Sequence, residues 1–193
     1  MKKLLLTSLI VLPLAACSTG SSDTTRPPRG NANASVLVEE FADIQCPACR
    51  SAHEQVSAPL LEKYGSDIRF EYKHFPLRSI HRFALDAAEM SECAADQGKF
   101  WEFLDMAYEN QQDLSQDALL EWVSALGLNT EQAERCFSSH SKRGTVLADY
   151  KEGRDRDVGG TPTYFVNGEQ VQTGFDTLGA AIEKALAGSA MPL

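Results

Sequence analysis

Cys46 and Cys49 form a Cys-Pro-Ala-Cys motif, a spacing that can carry thiol redox chemistry. Two cysteines three residues apart on a helix lie about one turn from each other, close enough for their sulfurs to form a disulfide. A short apolar run precedes the motif, and a stretch of helical composition follows it to about Tyr64. Cys46 is therefore predicted at a helix N-terminus, where free N–H groups and the helix dipole stabilise a thiolate. In this interpretation Cys46 attacks and Cys49 resolves the mixed disulfide.

A zinc half-site and an inert structural disulfide are two other uses of such a motif. Zinc usually takes four ligands, and the sequence has no second Cys-x-x-Cys or His-x-x-x-His motif. We therefore expect neither a metal nor an organic cofactor. A non-catalytic metal-binding lipoprotein that uses Cys46, Cys49 and His53 stays open as an alternative.

His53 lies four residues after Cys49, on the same predicted helix face. It is a candidate proton acceptor for Cys49 during resolution, and a packed or solvated histidine is the alternative. The other three histidines are interpreted as structural: His74, His81 and His140.

Cys93 and Cys136 each lie on an apolar helix stripe. Cys93 is three residues past Met90, and Cys136 joins Ala133 and Phe137 on one face. Both are predicted to face the interior of a helical block. A structural disulfide is the favoured prediction, and two buried free thiols are the alternative.

Residues 1–16 have the pattern of a secretory signal: two lysines, a short apolar run and two alanines. Leu14–Cys17 also resembles the bacterial lipobox, so Cys17 is predicted to be lipidated; simple cleavage near Ala16 is the alternative. The polar composition of residues 17–35 predicts a flexible tether. The four remaining cysteines would then enter an oxidising compartment.

The overall composition is that of a soluble globular domain, with 43% hydrophobic and 23% charged residues. The formal net charge is −9, and no basic stripe is present to neutralise phosphates, so nucleic acid is not an expected partner. No apolar run has membrane-spanning length, so membrane contact is expected only through the lipid. We expect a monomer.

The order of predicted elements is α/β with an inserted helical subdomain. A strand from Val36 precedes the motif, a second strand covers Ile68–Tyr72, and helices fill about 80–150. Pro59 is predicted to kink or loosen the first helix. A hairpin is predicted around Asn167-Gly168, which supplies both positive φ angles of a type I′ turn.

Four stretches resemble DsbA-type members of the thioredoxin superfamily: Phe41–Cys49, Tyr72–Leu77, Glu92–Ala94 with Gln97–Trp101, and Gly160–Gly168. The resemblance covers about residues 36–186. It implies a thioredoxin-like fold over residues 36–193 with a helical insertion at about 80–150.

The resemblance also implies a cis peptide at Thr161–Pro162, facing the two sulfurs. In the family, this loop offers backbone groups to an extended substrate peptide and helps to keep metals off the cysteines. Thr161 and Pro162 are therefore expected to bind substrate, together with Pro47 and Ala48. The strongest oxidants of the family have Pro-His between the cysteines, whereas this chain has Pro-Ala.

The activity implied by the resemblance is dithiol–disulfide exchange on exported proteins, at the periplasmic side of a bacterial membrane. Reduced or unfolded exported proteins are the expected partners, with a DsbB-type membrane protein as reoxidant. A periplasmic reductase stays open because of Ala48. An isomerase is the other alternative, although isomerases of the superfamily usually carry an amino-terminal dimerisation domain, for which residues 18–35 are too few and too polar.

Overall fold

A computed structural model describes residues 25–189, and the predicted signal peptide and Cys17 lie outside this range. Five strands form one sheet in the order β1-β3-β2-β4-β5. Their bounds are β1 Arg29–Gly30, β2 Val36–Ala42, β3 Ile68–His74, β4 Thr163–Val166 and β5 Glu169–Val171. β2 and β3 are parallel, and the other pairings are antiparallel.

The β4–β5 hairpin has the predicted turn. Asn167 has φ 48° and Gly168 has φ 85°, so both central residues occupy the left-handed region that a type I′ turn requires. Asn167 also accepts a hydrogen bond from the Leu37 N–H at 2.8 Å, which ties the turn to β2.

Side chains along the central strands point to opposite faces of the sheet, and a separate apolar core lies on each face. On β3, Ile68, Phe70 and Tyr72 belong to the larger apolar core, which also contains the active-site helix. On β2, Phe41 points to the opposite face and joins a smaller cluster with Phe75, Val158 and Phe165.

The helix after the cysteine motif is continuous but changes its winding. It comprises α1 Pro47–Ala52, a π-helical segment His53–Ser57 and α2 Ala58–Tyr64. Pro59 lacks an N–H and would clash with the carbonyl one turn earlier in a regular α-helix. The wider winding begins before this proline, where the Ala58 N–H donates to the His53 carbonyl. Pro59 was predicted to kink or loosen the far end of this helix; the wider winding lies in the turn before Pro59 instead, and the far end continues as α2.

Five helices follow β3 and form the inserted subdomain: α3 Ala84–Ala95, α4 Phe100–Glu109, α5 Gln116–Ala125, α6 Thr130–Ser138 and α7 Arg143–Asp155. A disulfide joins Cys93 on α3 to Cys136 on α6, with their Cα atoms 5.9 Å apart. The structural disulfide is confirmed, and the alternative of two free thiols is wrong. The last helix, α8 Phe175–Ser189, packs against α2 and β4. Within residues 25–189, no helix is long and apolar enough to cross a membrane.

The prediction of a flexible tether through residue 35 is wrong for its second half. Arg29–Gly30 is a sheet strand paired with β3. The Arg26 side chain is only 7% exposed and lies 2.9 Å from Glu92 and 2.7 Å from Asp149. Composition suggested a tether because the segment is polar. The buried carboxylates that bind its arginine come from α3 and α7, far along the chain.

Candidate active site

The cysteine pair lies where the carboxyl end of β2 leads into α1. Cys46 is the N-cap residue, with φ −76° and ψ 122°, and Pro47 begins the helix. Pro47 suits this position because its missing N–H would have no partner in the first turn. Cys46 is 7% exposed and Cys49 is fully buried, and both are free thiols in the structure. Cys46 is therefore the more exposed of the two cysteines.

The two thiols have opposite pKa shifts. The pKa of Cys46 is lowered to about 5, chiefly because the Cys49 thiol donates a hydrogen bond to the Cys46 sulfur. Partial burial opposes this shift, and Thr161 and the N–H groups of Ala48 and Cys49 add to it. Burial and the hydrogen bond to Cys46 raise the pKa of Cys49 well above its ordinary value. Near neutral pH the pair therefore consists of one thiolate and one protonated thiol.

The cis-proline loop faces Cys46. The Thr161–Pro162 peptide bond is cis, as the resemblance implied. In the thiol form, the Cys46 sulfur donates to the Thr161 carbonyl at 3.7 Å. The Thr161 hydroxyl is buried and has no hydrogen-bond partner in residues 25–189. It is therefore free to donate to the Cys46 thiolate. Such a hydrogen bond stabilises the thiolate, which agrees with the lowering of the Cys46 pKa by Thr161.

Asp43 holds the loop that presents Cys46. Its carbonyl accepts from the Cys46 N–H at 3.0 Å, and its own N–H donates to the Cys49 sulfur at 3.5 Å. Its carboxylate accepts from the N–H groups of Gln45 and Leu77, both at 2.8 Å, and contacts His81 Nδ1 at 2.7 Å. The sequence motif included Asp43 but assigned it no role, because these partners become neighbours only in the fold.

The helical subdomain also contacts the loop, through Gln111. Its side-chain amide donates to the carbonyls of Ile44 at 2.7 Å and Cys46 at 3.0 Å. The N-cap carbonyl of α1 is thus fixed by a residue 65 positions away. Nothing in the local sequence around Gln111 indicated this function.

His53 is a packed residue. Its Nε2 lies 3.2 Å from Asp105 Oδ1, and its ring is 4.8 Å from the ring of Tyr108, centroid to centroid. Among the described residues, no hydrogen bond joins His53 to Cys46 or Cys49. The structure therefore favours the packed alternative over the proton acceptor.

A buried carboxyl group that the sequence reasoning missed lies in the same core as Cys49. Glu40 on β2 is 2% exposed and accepts from Ser57 Oγ at 2.9 Å, and Ser57 Oγ lies 2.7 Å from the Tyr164 hydroxyl. Burial raises the pKa of Glu40 above its ordinary value. The pKa of Tyr164 is raised, chiefly by burial and then by the charge of Glu40, with a smaller contribution from Cys49. The Tyr164 ring is therefore near both Glu40 and Cys49. A glutamate within an otherwise apolar buried strand is the signal that could have identified this site.

The other three histidines have the predicted structural roles. His74 contacts Glu92 at 3.1 Å, His81 contacts Asp43 and His140 contacts Glu89 at 2.9 Å. Across residues 25–189, no group of three or more His, Cys, Asp or Glu side chains is arranged to hold a metal ion.

The profile of the thioredoxin family matches residues 22–184 of the chain. The chain belongs to the thioredoxin family. Membership agrees with the cysteine pair at a strand–helix junction and with the cis-proline loop opposite it. The matched range contains Cys46, Cys49 and the Thr161–Pro162 loop.

Two solved structures share the fold of this thioredoxin-family chain. Oxidised BdbD from Bacillus subtilis superposes with a TM-score of 0.75 at 23% identity, covering 85% of this chain and 94% of that one. Alpha-DsbA1 from Wolbachia pipientis gives 0.75 at 18% identity, covering 88% and 94%. The predicted thioredoxin-like fold with a helical insertion is confirmed.

Curated relatives include much longer proteins. The Na(+)/H(+) antiporter NhaA 3 of Salinispora tropica is 35% identical over 161 residues, which are 82% of this chain and 24% of that protein. NhaA 1 of Salinispora arenicola is 36% identical over 167 residues, covering 83% and 25%. The chain therefore spans about a quarter of these relatives, and the likeness concerns that part alone.

Proposed function

We propose that this protein introduces disulfides into reduced exported proteins. The observation that carries the proposal is the division of the cysteine pair into an accessible thiolate and a buried thiol. Stabilising the thiolate stabilises the reduced enzyme, which makes its disulfide a better oxidant.

The reaction begins with the oxidised enzyme. A client thiolate attacks the Cys46 sulfur, which breaks the Cys46–Cys49 bond and releases Cys49 as a thiolate. A second client thiolate then attacks the client sulfur of the mixed disulfide and releases Cys46 as a thiolate. Two electrons pass from the client to the enzyme, one proton goes to Cys49 and the other goes to solvent. Cys46 is the better leaving group because its pKa is about 5.

Glu40 supplies the proton that Cys49 needs. A buried carboxyl with a raised pKa holds a proton closer to neutral pH than an exposed one does. Ser57 Oγ donates to Glu40 and is hydrogen-bonded to the Tyr164 hydroxyl, so Glu40 belongs to a polar cluster within the core. In this proposal Glu40, and not His53, is the group that exchanges a proton with Cys49: it donates here, whereas the sequence had suggested His53 as an acceptor.

The client lies across the surface formed by Pro47, Ala48 and the Thr161–Pro162 loop. Thr161 contacts Cys46 from the side opposite α1, so a peptide beside this loop would have its cysteine next to the Cys46 sulfur. None of the four residues of this surface carries a charged side chain, so contact with a client would depend on shape and on backbone groups. Such contacts suit clients of many sequences.

We further propose export and lipidation at Cys17, on the basis of the signal pattern and the lipobox at Leu14–Cys17. The enzyme would act at the periplasmic side of a bacterial membrane. Two or more acyl chains would bind stably, since each buried CH₂ contributes about 0.8 kcal/mol. Cys17→Ser should release the protein into the soluble fraction or block its processing. Recovery of all wild-type protein in the soluble periplasmic fraction would contradict lipidation.

Each turnover leaves the enzyme reduced, so a reoxidant is required. A DsbB-type membrane protein fits this need, because it would accept two electrons from the Cys46–Cys49 dithiol.

The test is oxidative refolding of a reduced, unfolded ribonuclease with stoichiometric oxidised enzyme. We expect disulfides to appear in the ribonuclease while free thiols appear in the enzyme. Cys46→Ser should abolish the transfer, and Arg154→Gln, an exposed change on α7, serves as the control. If the oxidised enzyme leaves the ribonuclease reduced while a reduced sample cleaves its native disulfides, the protein is a reductase.

A further inference from the structure

The turn between β3 and α3 exposes an aliphatic side chain beside the active site. Ile80 is 71% exposed, the one large hydrophobic residue in the described part of the chain that is mostly in solvent. Arg78 and Arg82 flank it, and both are exposed. An isolated exposed isoleucine would need no explanation, but this one lies within a basic turn on an acidic protein.

Hydrogen bonds fix this turn in place. The N–H groups of Ile80 and His81 donate to the Leu77 carbonyl at 3.0 and 2.9 Å. The Asp43 carboxylate binds the Leu77 N–H and the His81 ring. The exposure of Ile80 is therefore built into the fold and does not come from a loosely held loop.

The same bonds place the turn next to the catalytic cysteine. Asp43 binds the Cys46 N–H through its carbonyl while its carboxylate holds the turn. At the other end of the turn, the Phe83 N–H donates to the Gln45 side chain at 2.7 Å. The turn that carries Ile80 is therefore tied at both ends to the residues that immediately precede Cys46.

The two arginines have no carboxylate partner in residues 25–189. The Arg78 guanidinium lies 5.6 Å from the Tyr150 ring centroid, and that of Arg82 lies 5.2 Å from Phe83. Their charges are thus available to a ligand. Acidic groups around the turn include Asp43, which contacts His81. Two aspartates line a cleft with Arg82: Asp86, bound to Gln116 at 2.7 Å, and Asp117.

We propose that this turn docks a segment of the client in which an apolar side chain adjoins an acidic one. Ile80 would pack against the apolar residue, and Arg78 and Arg82 would pair with the carboxylate. The inference rests on the proposed function only in taking a peptide as the substrate at Cys46.

The test measures mixed-disulfide formation, which is independent of whether the enzyme oxidises or reduces its clients. Two peptides with one cysteine differ only in Leu-Glu or Leu-Lys near that cysteine, and each is activated as a disulfide with thionitrobenzoate. The Cys46 thiolate of the reduced enzyme attacks the peptide sulfur and releases thionitrobenzoate, whose initial rate is recorded.

The Arg78→Gln/Arg82→Gln variant should react about five-fold more slowly with the Leu-Glu peptide and unchanged with the Leu-Lys peptide, as expected for two exposed ion contacts. Ile80→Ser should slow both peptides several-fold. Activated cysteine without a peptide should react at the wild-type rate with every variant. Arg135→Gln/Arg154→Gln removes the same charge from α6 and α7 and should change nothing.

Equal rates for the two peptides with the wild-type enzyme would overturn the charge preference. Unchanged rates in the Arg78→Gln/Arg82→Gln variant would overturn the docking role, as would an equal loss with activated cysteine, since that would show damage to Cys46 itself. If docking is observed but ribonuclease is not oxidised, the proposed function fails and the inference stands.

Discussion

The charge on Cys46 depends on donors that differ in strength and in origin. The largest contribution comes from the Cys49 thiol, which can donate only in the reduced state. Thr161 comes from the opposite loop and the N–H groups of Ala48 and Cys49 come from the helix itself. Ala48 lies between the cysteines but has no side-chain donor. It therefore stabilises the Cys46 thiolate only through its backbone N–H.

The first prediction concerns the titration of Cys46. In a variant whose only cysteines are Cys46 and Cys49, thiolate absorbance should show a midpoint near pH 5. Alkylation of Cys46 should therefore stay fast down to about pH 5, and Cys49 should resist alkylation in the folded protein. Because the unfolded thiol binds its proton more tightly, the stability of the reduced protein should rise with pH from about pH 5 to the free-cysteine pKa of about 8.5. A midpoint near the free-cysteine value of about 8.5 would contradict this assignment.

The second prediction concerns Thr161, whose buried hydroxyl is free to donate. Thr161→Val keeps the shape and removes the donor, so the pKa of Cys46 should rise by about one unit, the size of one charge-assisted hydrogen bond. Thr161→Ser keeps the hydroxyl and should stay close to wild type. Equal titration curves for the valine and serine variants would show that the hydroxyl does not contribute.

The segment before β2 makes extensive contacts in the fold, although its sequence gave little indication of them. Arg26 inserts between α3 and α7, where Glu92 is fully buried and Asp149 is 1% exposed. The Trp101 ring N–H also donates to the Pro27 carbonyl at 2.8 Å. The inserted helices and the sheet are thus joined by residues that precede the first long strand.

Arg26→Gln should destabilise the protein strongly, because it removes the positive charge that lies between two buried carboxylates. A loss of about 3–5 kcal/mol is expected for breaking a buried ion pair. Arg69→Gln, which breaks an ion pair at the surface with Glu71, should lower stability by less than about 1 kcal/mol. Urea unfolding of the two variants provides the measurement, and similar midpoints would contradict a structural role for the segment.

The Cys93–Cys136 disulfide closes a loop of 43 residues that includes α4 and α5. Cross-linking a loop of this length restricts the unfolded chain and stabilises the fold by roughly 2–4 kcal/mol. Cys93→Ala/Cys136→Ala should lower the free energy of unfolding by this amount. The alkylation rate of Cys46 should not change, since the disulfide lies between α3 and α6; a large change would show that it also supports the active site.

Local patterns were sufficient for the parts of the fold that neighbouring residues determine. The Asn167-Gly168 pair predicted the turn because a type I′ turn needs two adjacent residues with positive φ. Pro47 after Cys46 likewise indicated the start of a helix, because proline is favoured in the first turn. The support of the site could not be predicted in this way. Gln111 reaches Cys46 across 65 residues, and the burial of Glu40 becomes visible only when Ser57 and Tyr164 surround it. The same is true of Arg26, whose polarity suggested solvent until its partners were known.

For the molecule as a whole, the active site is assembled from two units. The sheet and its first helix supply the cysteines and the cis-proline loop, and the helical subdomain supplies Gln111. With a formal net charge of −9, the chain provides no general positive field to stabilise a thiolate. Stabilisation of the Cys46 thiolate must therefore come from the few donors around it. This predicts an oxidant that is weaker than family members with a histidine between the cysteines.

Equilibration with glutathione tests the central claim, that the Cys46–Cys49 disulfide oxidises client proteins. The fraction of reduced enzyme, measured against the ratio of reduced to oxidised glutathione, gives the reduction potential. We predict a value between the roughly −270 mV of thioredoxin and the roughly −120 mV of the strongly oxidising DsbA, because Cys46 is a stabilised thiolate but Ala48 adds no side-chain donor. A potential at or below about −270 mV would make the enzyme a reductant and contradict the account.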